Sequence, residues 1–102
     1  MIKLFEFAKT LKVLYVEDNE QARESTVSLL SNIFSNIEVG VDGKDGLEKF
    51  KEQKFDLVIT DINMPIMNGL EMIEEIKKID KDIPVIIISA HSENNYLLKA
   101  IS

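Results

Sequence analysis

The sequence predicts an α/β domain built on a parallel sheet with helices on both faces. Apolar segments of strand length alternate with segments of helical periodicity, in the order βαβαβαβα. The strand segments are almost continuously apolar, which is typical of strands buried on both sides. Parallel strands joined by right-handed helical crossovers satisfy both observations.

Four strands and four helices follow one another along the chain. Strands are predicted at residues 12–16, 37–41, 55–60 and 84–90, and helices at residues 19–35, 43–53, 70–79 and 92–101. The first strand ends at Glu17-Asp18-Asn19, where Asp and Asn are residue types that cap a helix. The first helix carries apolar residues at helical spacing, and the second follows the Asp42-Gly43 turn.

The second half of the chain repeats this pattern. The third strand is closed by Asp61 and a loop that runs to Gly69. The predicted apolar face of the third helix consists of Leu70, Ile73, Ile76 and Ile79. Pro84–Ala90 is the most apolar strand, and Ser92–Ile101 is interpreted as the fourth helix.

Composition agrees with one domain over residues 1–102, in which residues 1–10 are an N-terminal extension. The 102 residues are 45% hydrophobic, and the net charge of −6 would repel a nucleic-acid backbone. The longest apolar run is about six residues, where a membrane span needs about 20. No cysteine is present, so thiolate metal sites are excluded. We therefore expect a cytoplasmic protein that binds neither nucleic acid nor membranes.

Three strands end in side chains that carry oxygen. Glu17 and Asp18 follow the first strand, Asp61 follows the third, and Ser89 ends the fourth. Because the carboxyl ends of parallel strands meet at one edge of the sheet, we expect a site there. Three neighbouring carboxylates repel one another, and hard oxygen ligands in low number favour a bound Mg²⁺.

A carboxylate beside Mg²⁺ can attack a phosphoryl group to form an acyl phosphate. Asp61 is the expected nucleophile, and the Ser89 hydroxyl is available to donate to a phosphoryl oxygen. Each residue alone has a structural explanation, with Asp18 or Asn19 as a helix cap and Asp61 as a turn former. Together they favour a site, because capping does not require acids on two strands and a hydroxyl on a third.

Three separated motifs resemble a known family. They are Val13-Leu14-Tyr15-Val16-Glu17-Asp18-Asn19, Asp61-Ile62-Asn63-Met64-Pro65-Ile66-Met67-Asn68-Gly69 and Val85-Ile86-Ile87-Ile88-Ser89-Ala90. In this order they look like the receiver domain of bacterial two-component response regulators, over nearly the whole chain. The resemblance implies a flavodoxin-like (CheY-like) sheet of order 2-1-3-4-5.

The same resemblance implies a role for each candidate residue. Asp61 would accept a phosphoryl group from the phosphohistidine of a histidine kinase. Asp18 and Asp61 would bind Mg²⁺ directly, while Glu17 would act through water and Asn63 through its backbone carbonyl. Ser89 would be the switch hydroxyl. The chain would be a signalling module that catalyses only its own phosphorylation and dephosphorylation, with an unknown output domain or target.

One departure from the family pattern concerns the end of the chain. The family has a fifth strand that ends in a lysine, followed by a fifth helix, whereas this sequence ends at Ser102. It is therefore similar to a receiver of strand order 2-1-3-4 that lacks both elements. The fourth strand would be an open sheet edge, and we expect a dimer formed across it or by exchange around the fourth helix.

The alternative function is a Mg²⁺-dependent, phosphatase-like hydrolase with an Asp nucleophile. Such an enzyme uses a second acid two residues after the nucleophile, where this sequence has Asn63. The 102 residues also hold no cap domain to form a substrate pocket. We therefore expect the signalling function.

Overall fold

Four helices and five strands make up the part of the chain that the structure describes. The structure is a computed structural model that describes residues 2–91 and 95–101, with side chains over residues 3–88. The helices are α1 (Ile2–Thr10), α2 (Glu20–Leu30), α3 (Gly43–Glu52) and α4 (Gly69–Ile79). The strands are β1 (Lys12–Val16), β2 (Asn36–Gly40), β3 (Leu57–Thr60), β4 (Val85–His91) and β5 (Asn95–Ile101).

The strands form one sheet in the order β2-β1-β3-β4-β5. β1 pairs in parallel with both β2 and β3, and β3 pairs in parallel with β4. The predicted parallel order 2-1-3-4 is confirmed, and the four predicted strands are present with ends that differ by at most two residues. This order brings the carboxyl ends of β1, β3 and β4 to the same edge of the sheet.

The last strand corrects the sequence analysis. The sequence predicts a helix over Ser92–Ile101, whereas Asn95–Ile101 form β5, which pairs antiparallel along β4; residues 92–94 lie outside the described residues. Hydrogen bonding to the unpaired backbone groups of β4 outweighs the helix propensity of a short segment. The open edge predicted for the fourth strand is therefore wrong, and a dimer formed across that edge loses its basis.

Alternating strand residues build a core on each face of the sheet. Under α3 and α4, the fully buried residues include Leu14, Val16, Val58, Met72 and Ile76. On the opposite face, Val13, Tyr15, Leu57 and Ile59 are buried and contact partly buried residues that include Val27 and Leu30 of α2. Helices therefore cover both faces, as the apolar strands predict.

α2 is shorter than the sequence predicts. It begins after Asn19 and ends at Leu30, whereas the helical spacing predicts an end near Ser35. The Ser31 hydroxyl donates to the Val27 carbonyl (2.7 Å), and a turn follows. Serine side chains compete for the hydrogen bonds of a helix backbone and therefore favour helix ends.

α4 buries two of the four residues predicted for its apolar face, Ile73 and Ile76, and exposes the other two. Gly69, Met72, Ile73 and Ile76 are buried, whereas Leu70 and Ile79 are about half exposed (48% and 52%). The predicted positions are all three residues apart, and each step of three falls roughly 60° short of a full turn. Leu70 and Ile79 therefore lie on opposite sides of the helix.

None of the helices within the described ranges has the length and apolar character to cross a membrane.

Candidate metal centre

Three carboxylates meet at the edge of the sheet where the parallel strands end. Glu17 and Asp18 follow β1 directly, Asp61 follows β3 directly, and one carboxylate oxygen of each lies within 4.8 Å of the others. The strand register explains this, because Val16 is paired with Thr60. The Asp61 N–H also donates to the Val16 carbonyl (3.2 Å). The structure thus brings together the three acids that the sequence singles out.

Glu17 is buried, with 9% of its surface exposed. Its N–H donates to the Gly40 carbonyl (3.1 Å), and its Oε2 accepts the Asn19 N–H (3.1 Å). Burial raises the pKa of Glu17 to about 7; the Asn19 hydrogen bond lowers it, and the charges of Asp61 and Asp18 raise it. Without a cation, Glu17 is therefore partly protonated near neutral pH.

Asp61 is partly buried and held in one orientation. Its Oδ1 accepts the N–H of Ile62 (2.8 Å). Burial raises the pKa of Asp61 above its ordinary value, and the charge of Asp18 adds to this. Hydrogen bonds from the backbone of Ile62 and Asn63 act in the opposite direction. The carboxylate thus has a fixed direction and an unfavourable negative charge.

Asp18 does not cap α2. The cap is Asn19, whose Oδ1 accepts the N–H of Ala22 (2.9 Å). The Asp18 side chain is exposed and its carboxylate belongs to the acidic cluster. Helix capping therefore explains Asn19 but not Asp18. The acidic cluster explains the position of the Asp18 carboxylate.

The loop between β3 and α4 approaches the backbone of Asp61 very closely. A Cβ atom at Gly69 would lie 2.1 Å from the Asp61 carbonyl oxygen, so only glycine fits there. The Gly69 N–H donates to the Ile62 carbonyl (2.8 Å). In the same loop, Ile66 has a φ of 70° and a side chain that is 79% exposed. A β-branched residue rarely adopts this conformation, so the loop is strained beside the site.

Two further candidates, Asn63 and Ser89, lie close to the acids along the chain or across the sheet. Asn63 lies two residues after Asp61, with an exposed side chain. Ser89 lies on β4 two residues after Ile87, which is paired with Thr60. The register therefore brings the backbone of Ser89 to the edge that carries the acids, while its side chain lies outside the described residues.

The donor set fits a magnesium ion. All three side chains offer carboxylate oxygens, which are the hard ligands that Mg²⁺ prefers. The ion pairs between described side chains, Lys49–Asp45 and Lys78–Glu75, involve none of the three acids. Burial raises the pKa of both Glu17 and Asp61, which means that their negative charges are unfavourable in this environment. A bound divalent cation would offset these charges.

Comparisons with known proteins identify the family. The sequence model of the response regulator receiver domain matches residues 13–102. The chain belongs to this receiver family. The phosphatase-like alternative finds no support among the related proteins.

The relatives of this receiver domain include response regulators of several kinds. Response regulator protein VraR of Staphylococcus saprophyticus is 38% identical over 89% of this chain, which spans 44% of the length of VraR. Chemotaxis protein CheY-3 of Vibrio cholerae is 33% identical over 90% of this chain, which spans 73% of CheY-3. A solved structure of response regulator TrrA from Thermotoga maritima, in complex with Mg²⁺-BeF, is 36% identical with a TM-score of 0.73, and the match covers 80% of this chain and 71% of that one.

The receiver pattern includes a lysine at the end of a fifth parallel strand. Within residues 2–91 and 95–101, the strand on the outer side of β4 is the antiparallel β5. Lys99 lies in β5, opposite Ile87, and not at the end of a parallel strand. The described residues thus include the three acids of the site, and among them no lysine ends a fifth parallel strand.

Sequence reasoning missed Arg23. Its Nη1 donates to the backbone carbonyl of Glu17 (2.9 Å) and lies 3.4 Å from that of Asp18. Helical side chains lean toward the N-terminus of their helix. The position of Arg23, four residues after the Asn19 cap, therefore indicates that its side chain can reach the end of β1.

Proposed function

We propose that this receiver domain is the phosphoacceptor of a phosphorelay, in which Asp61 takes a phosphoryl group from the phosphohistidine of a histidine kinase. The position of Asp61 carries the proposal. It directly follows β3, the central strand of the sheet, and its carboxylate lies within 4.8 Å of those of Glu17 and Asp18. On the other side of β3 runs β4, the strand that includes Ser89.

Asp18 and Asp61 would bind Mg²⁺ directly, Glu17 would act through water, and the backbone carbonyl of Asn63 would be a further ligand. When bound, the ion neutralises negative charge on the oxygens of the transferring phosphoryl group. The cluster of three carboxylates supports this assignment. The relative TrrA supports it too, because its solved structure is a complex with Mg²⁺-BeF.

The reaction forms one bond and breaks one bond. A carboxylate oxygen of Asp61 attacks the phosphorus atom, the bond between phosphorus and the imidazole nitrogen breaks, and that nitrogen keeps the electron pair. The products are an acyl phosphate on Asp61 and an unphosphorylated histidine. The Ile62 N–H orients the attacking carboxylate through Oδ1. The Ser89 hydroxyl would donate to a phosphoryl oxygen. Through this hydrogen bond, the new negative charge would change the conformation of β4.

By this proposal the chain acts on no separate substrate and catalyses only its own phosphorylation and dephosphorylation. Its partners are a histidine kinase and an output domain or target that the sequence does not name. The cytoplasmic location stays a prediction. Exchange around the predicted fourth helix loses its basis, because Asn95–Ile101 form β5 rather than that helix. That the chain is a dimer stays a prediction, which light scattering at micromolar protein concentration would test.

Labelling with radioactive acetyl phosphate and Mg²⁺ tests the assignment of Asp61. We expect hydroxylamine-sensitive label on the unmodified protein and none on Asp61→Asn. Asp82→Asn is the matched control, because Asp82 is exposed in the loop before β4, at the opposite edge of the sheet. Label that persists in Asp61→Asn would contradict the proposal. Repeated turnover of a small phosphomonoester would favour the hydrolase instead.

A further inference from the structure

Arg23 connects α2 to the segment that carries two of the three acids. Its backbone N–H makes the first helical hydrogen bond of α2, to the Asn19 carbonyl (2.8 Å). Its side chain turns back toward the strand end, where Nη1 lies 2.9 Å from the Glu17 carbonyl and 3.4 Å from the Asp18 carbonyl. One guanidinium group therefore contacts the backbone of both acids.

These contacts complete the set of hydrogen bonds around Glu17. Its N–H bonds to the Gly40 carbonyl, its carboxylate accepts the Asn19 N–H, and its carbonyl accepts Arg23. Each bond reaches a different element, namely β2, the cap of α2 and the first turns of α2. The direction of the Glu17 side chain is thus determined by more than its own rotamer preference.

Arg23 does this without occupying the carboxylates. None of the ion pairs formed by side chains 3–88 includes it. Its side chain donates to backbone carbonyls, so Arg23 does not compete with a cation for the carboxylate oxygens. Hydrogen-bonding partners behind the metal ligands commonly change metal affinity by about 10- to 100-fold.

We propose that Arg23 is a positioning residue of the Mg²⁺ site, which fixes the turn that carries Glu17 and Asp18. The inference rests on the proposed function, because it assumes that these acids bind the ion. Both contacts come from one nitrogen, Nη1, at the end of a planar guanidinium whose length and shape a lysine ammonium does not reproduce.

The sign of the effect separates positioning from simple electrostatics. A positive charge near a cation site repels the cation, so removing it without moving the acids would strengthen Mg²⁺ binding. Loss of a positioning contact has the opposite effect and weakens binding. Arg23→Lys keeps the charge, so a purely electrostatic role predicts unchanged affinity for that variant.

The experiment measures Mg²⁺ affinity by calorimetry at constant ionic strength, on the unmodified protein, Arg23→Gln, Arg23→Lys and Lys54→Gln. Lys54 is exposed in the loop before β3, at the opposite edge, so Lys54→Gln is the charge-matched control. We expect binding about tenfold weaker for Arg23→Gln, intermediate for Arg23→Lys and unchanged for Lys54→Gln. NMR spectra should show a shifted Asn19 amide in both Arg23 variants, because this amide donates to Glu17.

Unchanged or tighter binding in the Arg23 variants would overturn the inference while leaving the proposed function intact. Absence of Mg²⁺ binding in the unmodified protein would contradict the proposed function itself. If Arg23→Gln does not fold, Arg23→Lys decides alone, since it keeps the charge and the helix propensity.

Discussion

The two ends of the parallel sheet differ in how their charged groups are satisfied. At the carboxyl end, the carboxylates of Glu17, Asp18 and Asp61 lie within 4.8 Å of one another. At the amino end, a carboxylate oxygen of Asp56 accepts the backbone N–H of Lys12 (2.8 Å). The amino end therefore contributes to stability, whereas the carboxyl end opposes it until a proton or a cation binds.

The same contrast appears in packing. At the amino end, the rings of Phe50 and Phe55 stack with centroids 6.0 Å apart, and the Lys12 ammonium lies 5.3 Å from the Phe55 centroid. At the carboxyl end, Ile66 holds a strained φ of 70° with its side chain exposed. Strain and repulsion next to well-packed structure are typical of functional sites.

The largest expected effect comes from the amino end. Phe55→Ala should lower the free energy of unfolding by about 3 kcal/mol, because it removes a buried ring and leaves a cavity beside Phe50. Urea denaturation measures this loss. Mg²⁺ affinity of the folded variant should not change, and a change would mean that the two ends are coupled.

The next effect is the pH dependence of the carboxyl end. The folded pKa of Glu17, about 7, lies above its ordinary value of 4.5. Between these values the folded state holds a proton that the unfolded chain has released, so stability falls as pH rises. We expect a loss on the order of 2 kcal/mol from pH 4.5 to 7.5 in EDTA.

Two controls sharpen the pH experiment. Glu17→Gln should flatten the fall in stability, because the titrating group is gone. Saturating Mg²⁺ should also remove it, since the cation takes the place of the proton. A fall that persists in Glu17→Gln would assign the pH dependence to other groups.

Ile66→Gly should relieve the strain next to the site. Glycine adopts positive φ freely, but it also has more freedom in the unfolded chain, so we expect a net gain of about 0.5 to 1 kcal/mol. Ile66→Val is the control, because valine is β-branched too and should give no gain. Equal stability of the two variants in urea would show that the loop is not strained.

The smallest expected effect is that of Asp18→Asn. Without metal, this change removes like-charge repulsion and should raise the melting temperature by about 2 to 4 °C. Mg²⁺ should no longer raise the melting temperature of the variant. A lower melting temperature in EDTA would mean that the Asp18 carboxylate stabilises the turn before α2 rather than opposing its neighbours.

Several features of the fold and the site follow from the sequence alone. The apolar runs of β1, β3 and β4 identify buried strands, because such runs are stable only inside a covered sheet. Parallel strands align their carboxyl ends, so Glu17, Asp18 and Asp61 are predicted to share one edge before any distance is known. The buried strands and the shared edge of the three acids follow from the periodicity of apolar residues and the direction of the chain, which are local properties of the sequence.

Tertiary structure decided what depends on distant neighbours. Asn95–Ile101 form β5 because the edge of β4 offers backbone partners that local helix propensity does not include. Asn19 rather than Asp18 caps α2, and Arg23 reaches both acids, because α2 begins at one particular residue. The pKa of Glu17 rises to about 7 because folding buries this carboxyl near two others, and burial and proximity arise only when the chain is folded.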